Sequence, residues 1–352
     1  MSQTNVSAIK TSGFERRPFE SFDKESAFVL ITGLLLLVLM PQYSEVYTLI
    51  TATIYISLCI LAVSLGLVWG YGGIFCLGQA AFFGLGGYTY AIAALNLGDT
   101  TLGAMAAVIV PMIFAAALGY FIFWGRIGDV YVGVITLTVT LIFVRFLNGS
   151  AGDNYSIGSV PLGGFNGIPM TPQLTTLDGS GTPLSTQAIF VISLAALMLV
   201  YFICRLFLSS HTGRTMIAIR ENELRAELLG YDVRLIKLLT FTLGGGIAGL
   251  AGLLFANALT VTPGMFSLTN TVQIVIWVLI GGRLSLLGPI FGCLFVQMIS
   301  AQLGVSGLLN PEIVLGVILI IFVLFVPNGA VPTLYQMAER GLNRLKRGGH
   351  GK

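Results

Sequence analysis

Charge is what this sequence has least of. Only 9% of its 352 residues are Asp, Glu, Lys or Arg, against about a quarter in soluble domains, so no water-soluble fold could cover its surface with them. Histidine is almost missing too. His211 and His350 stand far apart with no partner spacing, which leaves no acid–base pair or metal-ligand pattern of the kind an active site needs, and enzyme activity is not expected. Four cysteines, Cys59, Cys76, Cys204 and Cys293, fall singly in or beside apolar stretches, a placement that suits packing and excludes a disulfide framework. No Gly-x-x-x-x-Gly-Lys-Ser/Thr run occurs, so the chain has no phosphate-cradling loop of its own. No small-residue cleavage site follows the first apolar run, which begins near residue 27 behind Lys10, Arg16, Arg17 and Lys24; a retained first span is expected rather than a signal peptide.

What is present is apolar: 55% of the residues, with a mean hydropathy of +0.90. About 20 apolar residues in a helix cross the ~30 Å hydrocarbon layer. Segments such as Ala27–Met40 and Ile313–Val326 are continuously apolar rather than alternating, which favours helices over a transmembrane barrel. The expected fold is an all-α integral membrane protein of about ten transmembrane helices. They are placed at 27–41, 46–69, 78–97, 103–124, 130–147, 187–208, 237–261, 270–282, 285–304 and 312–327.

Of the 18 Lys and Arg residues, 15 fall in three blocks: four in 1–26, six in 205–237 and five in 340–352. By the positive-inside rule all three are cytoplasmic. Ten crossings from an internal N-terminus return the C-terminus inside, and they also place the links at Arg126 and Arg283 there. No Lys or Arg lies between Arg145 and Arg205, so the polar segment 148–186, with Asp153 and Asp178, is the expected external loop. Arg145 falls near the outer end of the fifth span, where it either snorkels to the interface or faces a hydrated interior.

Residues 66–87 read GLVWGYGGIFCLGQAAFFGLGG, eight glycines in 22 positions. Such density lets a helix break at membrane depth and line a cavity, or lets helices pack closely; both readings stand. On the first reading Gly72, Gly73, Gly78, Gln79, Phe82, Phe83, Gly87 and Tyr88 are candidates for a solute pathway, with Gln79 offering amide donors and an acceptor between flat apolar walls. A second cluster, IWVLIGGRLSLLGPIFG at 276–292, holds Gly281, Gly282, Arg283, Gly288 and Pro289, and marks a tight turn between the eighth and ninth spans with Arg283 at the cytoplasmic interface. Gly244, Gly245, Gly246, Gly249 and Gly252 continue inside one span as a helix-contact face.

The segment 209–236, SSHTGRTMIAIRENELRAELLGYDVRLI, is the most charged internal stretch. From Arg214 to Leu229 the apolar positions Ile217, Ala218, Leu224, Leu228 and Leu229 fit an amphipathic helix ended by Gly230. Such a helix lies on the membrane, docks into a cytoplasmic partner through its charged residues, or is simply solvated.

GRTMIAIRENELRAELLGYDV followed by KLLTFTLGGGIAGLAGLL resembles the corresponding loop and helix of the LivM-type permeases of branched-chain amino acid ABC importers. WGYGGIFCLGQAAFFGLGGY and GGRLSLLGPIFG resemble their earlier and later Gly-rich segments, and the order of all three agrees over roughly residues 50–330. WGYGG and IWVLIGGR are similar also to the UrtC-type permeases for urea and short amides, so the solute stays open between the two.

The resemblance implies a permease subunit of an ATP-driven importer in a bacterial inner membrane. A cytoplasmic tail (1–26) would lead into a transmembrane permease domain (27–327), and a second cytoplasmic tail (328–352) would follow. The partners implied are a second permease of LivH type, two cytoplasmic ATP-binding subunits, a periplasmic solute-binding protein and membrane lipid, with no nucleic acid. No cofactor is expected on the chain itself, since the partner subunits bind ATP. The coupling helix that enters an ATPase cleft would draw on Arg214, Ala218, Arg220, Glu221, Glu223, Arg225, Ala226 and Gly230. Of the wider importer pattern of Glu-Ala-Ala and a distal Gly, only Glu223, Ala226 and Gly230 match.

An ion-coupled carrier would need an ionisable group inside a span. Here the acids Glu45, Asp99 and Glu312 sit at links and helix starts.

Overall fold

Short polar side chains set where several helices begin. Asp99, Ser185, Ser210, Asn222, Asp232 and Ser267 each accept a hydrogen bond from a first-turn backbone N–H, meeting donors that no helical carbonyl reaches. The computed structural model describes residues 18–152, 155–169, 171–176, 181–306, 311–326 and 329–333. Lys10, Arg16, Arg17, Asp153, Asp178, His350 and the basic block 340–352 lie outside the described residues.

Among the described residues the chain runs through twelve α-helices: α1 (Pro18–Tyr43), α2 (Val46–Leu65), α3 (Gln79–Leu97), α4 (Thr100–Trp124), α5 (Asp129–Gly149), α6 (Thr186–Ser209), α7 (His211–Glu221), α8 (Glu223–Leu228), α9 (Val233–Ala258), α10 (Leu268–Gly281), α11 (Leu287–Ser306) and α12 (Pro311–Phe325). Every expected span coincides with one of ten of them, to within a few residues except at the start of α1. That helix begins at Pro18 and takes the end of the expected N-terminal tail into itself. Among the described residues seven helical stretches are long and apolar enough to cross a membrane: Val46–Tyr71, α3, α4, α5, α6, α9 and Leu287–Gly304. Val29–Tyr43, Leu268–Gly281 and Ile313–Phe322 are apolar but shorter.

α9 is the hub, packed on α2, α3 and α4. Two apolar helices gain little from burying apolar surface out of lipid, so close approach of small residues has to hold them together. That is what the glycine face of α9 does. A Cβ on Gly249 would strike the Ala107 carbonyl and the Pro111 ring of α4, and one on Gly252 would strike the Phe83 carbonyl of α3. Gly245 lies on Ala115 and Gly246 on Met112. The reading of this cluster as a helix-contact face therefore holds.

One end of the bundle is closed by the segment after α5. A two-stranded hairpin, β1 (Ser156–Ile157) with β2 (Val160–Pro161), is tied to α3 because Asn96 donates to the Ile157 carbonyl and accepts from Ser159 N–H. Farther on, the Tyr90 hydroxyl donates to the Pro172 carbonyl at 2.8 Å, and the Leu174 N–H donates to Asn257 Oδ1 at 2.7 Å. The opposite end carries α7, α8 and the cations Arg126, Arg214, Arg220, Arg225, Arg234, Lys237 and Arg283. Arg145, exposed, is placed toward the loop end.

Candidate functional site: the two helix breaks and the charged loop

α2 does not end cleanly. It passes into a π-helical turn over Gly66–Tyr71 and then an irregular stretch, and α3 starts only at Gln79. The wider turn suits glycines and is a recurring mark of functional positions in helices. The irregular stretch rests on α5: the Leu77 N–H donates to Thr136 Oγ1 at 3.1 Å, Gly78 lies against the Thr136 side chain, and Gly133 lies against the Phe75 ring.

The second break sits directly on the first. A Cβ on Gly70 would strike the Arg283 carbonyl, and one on Gly66 would meet the Pro289 ring at 2.7 Å. The Tyr71 hydroxyl donates to the Leu284 carbonyl at 3.2 Å. Within the second break, Gly281 and Gly288 meet backbone to backbone, and Gly282 takes a φ of +110°. Two Gly-rich segments, whose contacting residues Tyr71 and Leu284 are 213 positions apart, thus form one junction at the charged end.

The charged loop reaches into that junction. Arg220 of α7, partly buried, donates from Nη1 to the Gly70 carbonyl at 2.8 Å and pairs through Nη2 with Glu221. Gly72 lies against the α9 residue Thr240, and Gly73, with a φ of +71°, lies against Arg220, whose Cγ would be 2.7 Å from any Cβ there. α7 is seated on α9 by Met216, whose sulfur accepts from the Thr240 hydroxyl.

The single amphipathic helix expected over 214–229 is two helices. Asn222, extended at φ −160° and ψ 101°, ends α7 and caps α8 through the Arg225 N–H. The break resets the helical phase, so the buried residues of the loop are Gly213, Thr215, Met216, Ile219 and Ala226. Leu224, Leu228 and Leu229 point outward. Arg214, Ala218, Glu221, Glu223 and Arg225 are exposed. Gly230, with a φ of +87°, ends α8 as expected: Tyr231 N–H reaches the Ala226 carbonyl and Gly230 N–H the Glu227 carbonyl, a pairing that needs the left-handed residue.

The remaining pathway candidates lie inside the bundle. Phe82 and Phe83 are fully buried, in edge-on contact with Phe241 and Phe255 of α9. Gly87 meets Met265, and Tyr88 packs on Phe266. Gln79 is buried and accepts from the Ser64 hydroxyl at 3.4 Å, while its Nε2 has no protein acceptor. It borders a crevice too narrow to seat a water, between Leu65, Cys76 and Leu77 on one side and Thr271, Ile274 and Val275 of α10 on the other. A buried amide donor without a partner costs free energy, and the crevice is where a partner would come from. Sequence reasoning missed Gly70 as the receiving carbonyl and Asn222 as the hinge; an Asn at that point of a helical pattern is a cap signal. Among the described residues no group of His, Cys, Asp and Glu could hold a metal ion.

Residues 47–326 match the family described as branched-chain amino acid transport system / permease component. The chain is similar to the high-affinity branched-chain amino acid transport system permease protein LivM of Escherichia coli (strain K12), 26% identical over 319 residues that cover 86% of this chain and 74% of that protein. LivM of Salmonella typhimurium is 26% identical over 306 residues, covering 80% and 69%. A probable ABC transporter permease protein of Escherichia coli, YphD, is 34% identical over 140 residues, 37% of this chain and 42% of that one. No solved structure matches.

Proposed function

The chain belongs to the branched-chain amino acid transport system / permease component family, and on that premise we propose that it is the translocating subunit of an ATP-driven importer for branched-chain or other small amino acids in a bacterial inner membrane. The hydrogen bond from Arg220 to the Gly70 carbonyl carries the reading. It joins the charged loop, which a cytoplasmic ATPase could move, to the point where α2 loses its regular helix.

In this reading the charged end faces the cytoplasm, since its cations follow the positive-inside rule, and all ten apolar helices cross the membrane. α8 is the part that enters the ATPase. Its outward Leu224, Leu228 and Leu229, with Arg225 between them, make an apolar face with a charged rim, a surface that a partner's groove accepts. ATPase closure would push α8, turn α7 about Asn222 and displace Gly70 through Arg220. The junction of the two breaks would then widen the crevice beside Gln79 and give its free amide donor a solute to meet. Phe82, Phe83, Gly87 and Tyr88 would form the packed wall behind it. ATP binding falls to two partner subunits, solute capture to a periplasmic binding protein over the loop end, and a second LivH-type permease completes the membrane pair.

The test is gentle purification of the tagged chain from its native membrane, with mass spectrometry of what accompanies it. Recovery of an ATP-binding subunit and a second permease is the expected result. Recovery of the chain alone after crosslinking would point to a self-sufficient channel or carrier and overturn the proposal.

A further inference from the structure

A cavity of about 360 Å³ opens at the charged end, between the link joining α4 to α5 and the first turns of α8 and α9. That volume is at the small end of the range for ligand sites. Phe123, Ile127 and Val233 give it apolar lining. Charges of both signs surround it: Arg126 pairs with Glu227 at 3.4 Å, and Lys237 with Glu223 at 2.6 Å and Asp129 at 3.8 Å. Arg234 also lines the cavity, half-buried, and among the described residues no carboxylate pairs with it.

Arg126 is held at a cost. Its φ is +51°, and among the described residues it is the one non-glycine with a positive φ. It occupies the position after the α4 C-cap, where Ile127 N–H reaches the Ile122 carbonyl and Arg126 N–H the Phe123 carbonyl, a place that glycine fills without strain. An arginine kept there points to a use for its side chain. The surroundings give the depth. Tyr120 stacks on Trp124 with ring centroids 4.7 Å apart, and Tyr120, Phe121, Trp124 and Tyr131 are all exposed beside the link, as aromatic residues are where a bilayer meets water.

We propose that this cavity binds the headgroup of an aminophospholipid, with its phosphate against Arg234 and Arg126 and its ammonium against Glu227 and Asp129. A headgroup carrying both signs answers both sets of wall charges, whereas a purely anionic one such as phosphatidylglycerol answers the cations Arg126, Arg234 and Lys237 and leaves the carboxylates Asp129, Glu223 and Glu227 without a ligand cation. The lipid bridges the α4–α5 link to α8, so its occupancy steadies the loop that moves in transport; that consequence rests on the function proposed above, but the binding does not.

The test uses the full chain with whatever subunits accompany it, reconstituted in nanodiscs of mixed phosphatidylethanolamine and phosphatidylglycerol and then released into mild detergent for native mass spectrometry. One phosphatidylethanolamine per chain should be retained in preference to phosphatidylglycerol. Arg234→Ala and Arg126→Gly should each reduce retention about fivefold, the order expected for one cation near a lipid phosphate, and Glu227→Gln should erase the preference between the two lipids. Arg126→Gly also relieves the backbone, so its melting temperature should be equal or higher, which separates loss of the site from loss of the fold. Equal retention of both lipids by the wild-type chain, or retention unchanged in all three variants, would overturn the proposal. So would equal binding of soluble phosphoethanolamine without lipid. Absence of an ATPase subunit from the preparation would count against the importer reading and leave the lipid readout intact.

Discussion

The Arg220 guanidinium and the Gly70 carbonyl, 150 positions apart in the chain, are joined by a hydrogen bond of 2.8 Å. The donor is charged and the acceptor lies at a helix end, where a carbonyl commonly lacks an intrahelical partner. Such a bond is worth about 1.5–3 kcal/mol. Arg220→Ala should therefore lower solute uptake in proteoliposomes by at least about tenfold, while the chain reaches the membrane in normal amount and the complex keeps a basal ATPase rate. Charge reversal at Arg220 should do at least as much. Undiminished uptake in either variant would remove Arg220 from the coupling path.

Gly70 itself tolerates no side chain, because a Cβ would fall on the Arg283 backbone carbonyl. Backbone on both sides cannot yield as a side-chain tip does, and overpacking of this kind costs about 1–3 kcal/mol. Gly70→Ala should lower the melting temperature in detergent and weaken uptake. Gly304→Ala is the control: it lies in α11 with open space around its Cα, and alanine is the better helix former, so stability should be unchanged or raised. Equal behaviour of the two variants would show that the junction between the breaks is loose.

Much of this arrangement was legible in the residues. The apolar runs marked the helices because a stretch long enough to cross a bilayer must be continuously apolar, although among the described residues only seven helical stretches reach that length and three stay shorter; the glycine face of α9 was visible from its spacing alone. Asn222 was harder. A pattern of apolar residues over 214–229 fits one helix and hides the cap signal of Asn222, and the tertiary seat of Met216, Ile219 and Ala226 joins that cap in turning the chain there. The meeting of Gly70 with Arg283 was not legible at all, since a glycine needed for close approach looks in sequence like one needed for a turn. Neither was the placement of Phe82 and Phe83, which offer the same flat surface to a solute or to Phe241 and Phe255.

On α8 the exposed face makes a prediction of the opposite kind. Leu228 is 79% exposed, so Leu228→Asp should leave the melting temperature of the chain unchanged. If this face enters a groove of the ATPase, burying a carboxylate there is costly, and the amount of ATPase subunit recovered with the tagged chain should fall severalfold. Full recovery of the ATPase with Leu228→Asp would place the contact elsewhere on the charged end.

The crevice beside Gln79 offers a native reporter. Cys76 is buried and lines it together with Thr271 of α10, and the space is too narrow for water. In a chain whose other cysteines, Cys59, Cys204 and Cys293, are replaced by alanine, a small methanethiosulfonate reagent should react with Cys76 slowly at rest. If movement of Gly70 opens the crevice, turnover with ATP and solute enlarges the open population, and labelling should accelerate by about tenfold for each ~1.4 kcal/mol by which the open state is favoured. Arg220→Ala should abolish the acceleration without changing the resting rate, because it cuts the link and leaves the crevice as it is. Acceleration that survives Arg220→Ala would mean the crevice opens by another route, and a labelling rate unmoved by turnover would mean that the break next to Gln79 is a packing device and the solute passes elsewhere.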